Sequence, residues 1–385
     1  MFGTASPDEL LELADQMLEA ARVSGSPYVE LLGLTWRIDG FLRQGDSRRA
    51  GHAIDALDVL AARTEGPLFR WNALFDRAGL EQAVGRFGDA ERTARSAAKE
   101  LPESQAAQTQ PLLIAQLMLV ATDRGVAPPE IEMVRGFVVG APMIAVSMTA
   151  RFDLEVRDRA RAQATFEAIR HRISEVDLDR RGLPTLAAAS ELAVAFDDTV
   201  VGSTLLVRLQ PFSGVMIASA LGVVGPTDYF IARLEGILGG RDDAVHHAQA
   251  SLDLSAHGGF GPWIARSRLG LGVALARRDG PGDRPAARLA AAMAAESATE
   301  LGMGHLHSLA VALTDELAGP RLTPREREVA GFVARGASNR EIAGALVLSD
   351  RTVESHVEHV MTKLGFHSRS QIAAWMAVEE SESRV

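Results

Sequence analysis

Apolar positions in this chain recur every three to four residues, the spacing of one buried helix face, and rarely every second residue. From about Pro7 to Leu317 the pattern reads as helix after helix, broken by Gly, Pro and Asp. Leu317-Ala-Gly-Pro-Arg321 interrupts the periodicity and reads as a short linker. Four helix starts then follow closely. Thr323-Pro324-Arg325-Glu326 is a capping box with proline at the first helical position; it opens a helix that aligns Val329, Phe332 and Val333 and stops at Gly336. Ser338-Asn339-Arg340-Glu341 is a second capping box, ahead of Ile342, Ala343 and Leu346. Ser349 caps a third helix, with Val353, Val357, Val360 and Leu364 as its stripe and Gly365 at its end. Ser368-Arg369-Ser370-Gln371 opens a fourth, carrying Ile372, Trp375 and Met376. The pattern predicts an all-α chain: a helical region over 1–317 and a compact four-helix domain over 318–385.

The helical region repeats itself. Leu80-Glu81 is followed by Gly85, Asp89-Ala90 and Ala94; Leu234-Glu235 is followed at the same offsets by Gly239, Asp243-Ala244 and Ala248. Gly45, Ala50 and Ile54 make a third copy, and Leu275, Gly280 and Ala286 a fourth, stretched by an insertion. A glycine that ends one helix in a left-handed conformation, an Asp or Ser that caps the next and small Ala residues between them describe a helical hairpin. Residues 125–225 carry no clear copy. The pattern resembles tetratricopeptide-like repeats, which implies an N-terminal α-solenoid with a concave surface for a protein or small-molecule effector. Tyr28, Trp36, Trp71 and Trp263 are candidates for such a groove, but their helical spacing beside Leu and Ile reads as core.

In the last domain only about Leu346–Leu348 separates the second and third helices, the geometry of a helix-turn-helix. Leu322-Thr-Pro-Arg-Glu-Arg-Glu-Val329, Gly336-Ala-Ser-Asn-Arg-Glu-Ile-Ala343, Leu348-Ser-Asp-Arg-Thr-Val-Glu-Ser-His-Val357 and Lys363-Leu-Gly365 resemble the LuxR/NarL-type helix-turn-helix. Gly225-Pro-Thr-Asp-Tyr229 onward and Gly261-Pro-Trp-Ile-Ala-Arg266 are similar to the region before this domain in large ATP-binding LuxR regulators. The resemblance implies a transcriptional regulator that binds double-stranded DNA as a homodimer, with recognition helix 350–363 in the major groove. It assigns base reading to Glu354, Ser355 and Glu358, with Arg351 at the helix start. Thr352, His356 and Lys363 flank that face toward phosphates, and Ser338, Asn339 and Arg340 start the preceding helix, whose free N–H groups favour an anion. Some family members carry lysines where this chain has Glu354 and Glu358. A carboxylate accepts from cytosine N4–H and cannot donate to guanine, so a different operator is expected.

Charge sharpens this picture. The 385 residues carry a net charge of −10, and residues 318–385 hold nine Arg/Lys against nine Asp/Glu. Nonspecific DNA affinity comes from neutralised phosphates, so a neutral domain gains from pairing, with the acidic tail Glu379-Glu380-Ser-Glu382 pointing away. The chain has no cysteine, which excludes disulfides, thiol catalysis and Cys-ligated metal. Lys99 and Lys363 are the sole lysines and neither follows glycine, so GxxxxGK[ST] is absent and the ATPase module of the large regulators with it. His356 and His359 are spaced for a metal but lack a third ligand, and no cofactor is expected. No nucleophile-elbow or paired-carboxylate pattern appears, so no enzyme is expected. The most apolar windows, near Phe137–Ala150 and Phe212–Gly225, are too short to span a bilayer, and no secretory signal is read; a cytoplasmic protein without a membrane partner is expected. Met1 precedes an orderly helix start at Ser6-Pro7-Asp8, as expected where a chain begins. Two readings from other classes remain: an interaction scaffold whose helix-turn-helix does not bind DNA, and a receptor holding a small ligand between repeats.

Overall fold

The computed structural model describes residues 6–131, 135, 142–178, 182–219, 221–318 and 322–382, with the backbone alone for 103–108 and 377–382. The tail glutamates, part of the 137–150 window and the end of the expected linker therefore lie outside the described side chains. The chain divides into two compact units, Met1–Leu313 and Thr314–Val385. The first holds α1 (Pro7–Ser24), α2 (Pro27–Arg43), α3 (Ser47–Thr64), α4 (Pro67–Ala83), α5 (Phe87–Glu100), α6 (Glu103–Arg124), α7 (Met143–Glu155) and α8 (Arg159–Ile169). It continues with α9 (Gly182–Ala195), α10 (Thr199–Leu209), strands β1 (Met216–Ser219) and β2 (Gly222–Pro226), α11 (Thr227–Leu238), α12 (Arg241–His257), α13 (Gly261–Arg278) and α14 (Asp283–Leu301). The boundary falls within α15 (Gly304–Ala318), which includes the first two residues of the expected linker.

Sequence neighbours pack as helix pairs, and one turn chemistry makes most of the pairs. A single residue adopts positive φ, and the next N–H reaches back five residues to a helix carbonyl, the Schellman bond that satisfies an orphan C=O. Gly45, Gly85 and Gly239 are left-handed as their spacing predicts, and Asp46, Arg86 and Gly240 donate to Phe41, Glu81 and Glu235 at 2.8, 2.8 and 3.0 Å. The alanines after them, Ala50, Ala90, Ala94, Ala244 and Ala248, are buried, so the paired helices approach closely. The fourth copy is displaced. Asp279, not Gly280, is left-handed, and Ala287 and Ala291 are buried where Ala286 is exposed.

The stretch without a visible copy opens on the same turn at Gly125 and contains it at two further places without a glycine. Arg157 (φ 64°) and Asp197 (φ 54°) hold the left-handed position, and Asp158 and Asp198 make the bond back to Asp153 and Ala193 at 2.8 and 2.9 Å. Here the aspartate after the turn does the capping: Asp158 and Asp198 side chains accept from Arg161 and Val201 N–H. Asp46 caps likewise, whereas Arg86 and Gly240 make no side-chain cap.

The apolar window at 212–225 is not helical. Its Ile217, Val223 and Val224 suit strands, and its glycines take φ values of +137° (Gly222) and +144° (Gly225) that a helix does not use. β1 and β2 pair antiparallel, Met216 opposite Pro226, with a register shift at Ile217/Ala218. The hairpin packs against α2, α4, α6, α9, α11 and α12, inside the unit. The Gln82 amide fastens it, accepting from Val223 N–H at 2.9 Å and donating to Val223 C=O at 3.2 Å. Trp263 lies fully buried beneath Gly225, and Tyr28 is exposed against Phe69.

Beside the hairpin, Arg151, Glu191 and Arg233 each stand six residues before a left-handed turn residue, so three successive hairpins set them in one row. Arg151 Nε donates to Glu191, and Arg233 approaches it at 3.7 Å. Burial pushes the Glu191 carboxyl upward, and the flanking guanidiniums overcome that and hold it below its ordinary range. Arg266 extends the network to Glu155 at 2.7 Å and Asp123 at 3.6 Å. No helix among the described residues is long and apolar enough to cross a membrane.

The glycines give a paired stability test. A Cβ on Gly225 would meet the Trp263 ring at 2.5 Å, whereas one on Gly239 would meet nothing within 4 Å. Both backbones disfavour an L side chain. Gly239→Ala is expected to cost about 1 kcal/mol from backbone strain. Gly225→Ala is expected to cost about 2–4 kcal/mol, because overpacking adds to that strain. Urea unfolding of both variants checks the order.

Candidate nucleic-acid interface

In the second unit the Thr323 side chain accepts from Glu326 N–H while the Glu326 carboxylate accepts from Thr323 N–H at 2.7 Å. That box starts α16 (Pro324–Ala334). Ser338 and Glu341 form a second reciprocal box for α17 (Asn339–Leu346), and Ser349 accepts from Thr352 N–H at 3.1 Å to start α18 (Asp350–Leu364). At α19 (Arg369–Glu382) the Gln371 side-chain amide oxygen accepts from His367 and Ser368 N–H. Val329, Val333, Ile342, Val353, Val357, Val360 and Ile372 share one core, and α16 packs on α18 and α19 while α17 packs on α18. The valine stripe of α18 is therefore buried, and its opposite face is set outward.

The turn from α17 to α18 is one left-handed residue, Val347 (φ 54°), followed by a bond from Leu348 N–H to Ala343 C=O at 2.9 Å. Arg325 supports it from α16 by donating to Leu346 C=O at 2.6 Å. The far end of α18 is held by Lys363, which donates to Glu326 at 2.7 Å. Glu326 is 5% exposed. The Lys363 ammonium, and next the Thr323 N–H, hold its carboxyl down to about 2. One carboxylate thus joins the start of α16 to the end of α18.

The candidate residues fall into two groups. Arg351, Glu354, Ser355 and Glu358 lie together, exposed, on the outward face of α18. Among the described residues none of the four has a side-chain hydrogen bond or ion pair. Their neighbours are more committed. The Thr352 hydroxyl meets Ser349 Oγ at 2.7 Å, His356 is half-buried, and Lys363 is engaged by Glu326. At the start of α17 the Ser338 hydroxyl is taken up by Glu341, which accepts from it at 2.7 Å and brings a negative charge to the helix end. Those Ser338 hydrogen bonds hold the Glu341 carboxyl below its ordinary range. Asn339 accepts from Arg369 at 2.6 Å; a guanidinium only donates, so the amide oxygen faces Arg369 and the NH2 faces away. Arg340 is exposed and extends freely. Arg325, Glu326 and Arg369, which orient these residues, carry no distinguishing mark in the sequence: each is one more charge within a capping segment. His356 and His359 are not brought to further ligands, since among the described residues no group of three or more His, Asp or Glu is placed to hold a metal.

Residues 320–376 match the family model of bacterial regulatory proteins of the luxR family. The same region is 51% identical over 51 residues to the HTH-type transcriptional regulator Mb0914c of Mycobacterium bovis, covering 13% of this chain and 6% of that protein. It is 39% identical over 59 residues to the nitrate/nitrite response regulator NarL of Escherichia coli K12, covering 15% of this chain and 27% of that one. It is 43% identical over 54 residues to the oxygen regulatory protein NreC of Staphylococcus aureus, covering 14% and 25%. The C-terminal region is thus a LuxR/NarL-type helix-turn-helix regulator domain. The chain covers at most 27% of the length of these three relatives.

Two measurements follow from the supports. Glu326 titrates lower when folded than when unfolded, so its contribution is full above about pH 4.5 and is lost as pH falls toward about 2. An acid titration of the full chain, followed by the amide signals of α16 and α18, is expected to show that loss, and Glu326→Gln to abolish it. Val347 is 91% exposed and gains little from burial, while a β-branched residue is strained at φ 54°. Val347→Gly is therefore expected to stabilise the domain by roughly 0.5–1 kcal/mol in thermal unfolding.

Proposed function

We propose that the chain is a sequence-specific DNA-binding transcriptional regulator acting in the cytoplasm, with α18 entering the major groove. The observation that carries this reading is the outward face of α18. Arg351, Glu354, Ser355 and Glu358 stand there exposed and uncommitted, on a helix whose other face and both ends are fixed. The backbone that carries them loses little freedom on meeting base edges. Arg351 supplies the bidentate donor for guanine, and the two glutamates accept from cytosine N4–H. Arg340 and the Asn339 NH2 group are the phosphate contacts that remain open at the start of α17.

A monomer is poorly equipped electrostatically, because the domain's formal charges cancel. We therefore read the active species as a homodimer that places two copies of α18 at half-sites one helical turn apart. The helical pairs over 1–317, a tetratricopeptide-like solenoid in this reading, set the activity of the domain over 318–385 in response to a protein or small-molecule effector.

Selection from a random duplex pool with the full chain tests the proposal. A two-fold-symmetric motif is the expected product; no enrichment by folded protein would favour the interaction scaffold. Arg351→Ala is expected to relax one position of that motif at a cost of about 1–3 kcal/mol. Equal loss on every sequence would contradict base reading by Arg351. Glu354→Gln is expected to move one position from cytosine toward adenine, which an amide reads bidentately, and an unchanged motif would remove Glu354 from the readers.

A further inference from the structure

The repeated Leu-Glu pair has no part in DNA reading. Glu81 and Glu235 each stand four residues before a left-handed glycine, and each is 6% exposed. Their counter-charges differ. Arg86 lies 3.7 Å from Glu81 and is a cation at every accessible pH. Beside Glu235 the corresponding group is an imidazole, with His247 Nε2 at 3.8 Å.

The His247 ring has a second carboxylate on its other side. Its Nδ1 is 2.6 Å from Asp228, which is 1% exposed and also accepts from Ser213 Oγ and Gly214 N–H, both at 2.7 Å. Ser213 and Gly214 lead into β1, so Asp228 ties the entry of the inner hairpin to α11, and His247 ties α12 to both. One Glu235 oxygen is buried without a hydrogen-bond partner. The charges that act on the ring are Asp228, Glu235 and, from the exposed first turn of α12, Asp243. The His246 ring lies 5.3 Å away. From α13, Arg278 is engaged by Asp242 and Asp283, and Arg277 lies over Gly236. From α9, Glu191 is held by Arg151 and Arg233, and β2 brings no titratable side chain.

We propose that His247, Asp228 and Glu235 form a proton-operated clamp on the entry to the hairpin, closed when the group holds its proton and loosened when that proton is lost. Once the imidazole is neutral, two nearly buried carboxylates face each other with no cation between them, which low dielectric makes costly. The hydrogen bond to Asp228, against burial, raises His247 above its ordinary value; burial pushes Glu235 up to about 7, against the His247 charge. Both groups bind their protons more tightly in the folded chain. The contribution of Glu235 is therefore full below about pH 4.5 and that of His247 below about 6.5, and both are lost as pH rises through neutrality. Asp228 is held below its ordinary range despite burial, by His247 and then the Gly214 N–H, so its own loss comes only in strong acid.

The test uses the full chain at pH 6 and pH 8, reading hydrogen exchange of residues 213–228 after correction for intrinsic rates. Protection is expected to fall roughly tenfold over that interval, the equivalent of one displaced unit of proton affinity. Glu235→Gln removes the carboxylate that gains a charge; it is expected to flatten the dependence and to be better protected than wild type at pH 8. Glu81→Gln, at the same register beside an arginine, is expected to leave the dependence intact. Imidazole nitrogen shifts read His247 directly in the unaltered chain and are expected to titrate above its ordinary value. Equal pH dependence in wild type and Glu235→Gln, or ordinary titration of His247, would overturn the clamp.

Discussion

One backbone constraint recurs at most of the helix reversals: a single residue in the left-handed region, with the following N–H bonded back five residues. In the first unit it sits at Gly45, Gly85, Gly125, Arg157, Asp197, Gly239, Gly259 and Gly302; in the second it sits at Gly336, Val347 and Gly365. Each reversal fixes both the exit direction of one helix and the register of the next. The row of Arg151, Glu191 and Arg233 exists because three turns place equivalent positions of three hairpins side by side. The outward face of α18 exists because Val347 turns the chain at one position and the valine stripe then decides which side is buried.

This explains which parts of the molecule were legible from the residues. Glycine advertises a left-handed position because it pays no steric penalty there, so Gly45, Gly85 and Gly239 marked their turns. Arg157 and Asp197 occupy the same conformation without that mark, and only the capping aspartates behind them carry a signal. The inner hairpin was hidden for another reason. Its apolar run suits a buried strand and a buried helix equally, and its pairing depends on Gln82, far away in sequence.

The second unit was legible almost throughout, because capping boxes and glycine stops are local chemistry. Its long-range commitments were not. Lys363 reads as a flanking cation, but Glu326, thirty-seven residues away, engages its ammonium. Asn339 and Ser338 read as anion contacts, yet Arg369 takes the amide oxygen of one and Glu341 the hydroxyl of the other. What remains free is a narrow set, Arg340 and the four α18 side chains, and the glutamates among them make the face acceptor-rich. In the proposed reading, such a surface gives up nonspecific phosphate attraction and leans on matched base edges. The supporting pairs lie at the ends of α18 and on its far side, so they fix its orientation without consuming the groups that face outward.

The most direct test asks where DNA lies on the unaltered fold. A photoreactive side chain placed at residue 355 on α18, or at residue 328 on α16, would be irradiated with the duplex that the full chain selects. An adduct to a base is expected from position 355 and none from position 328. Adducts from position 328 alone, or backbone adducts from 355 that ignore duplex sequence, would contradict base reading by α18.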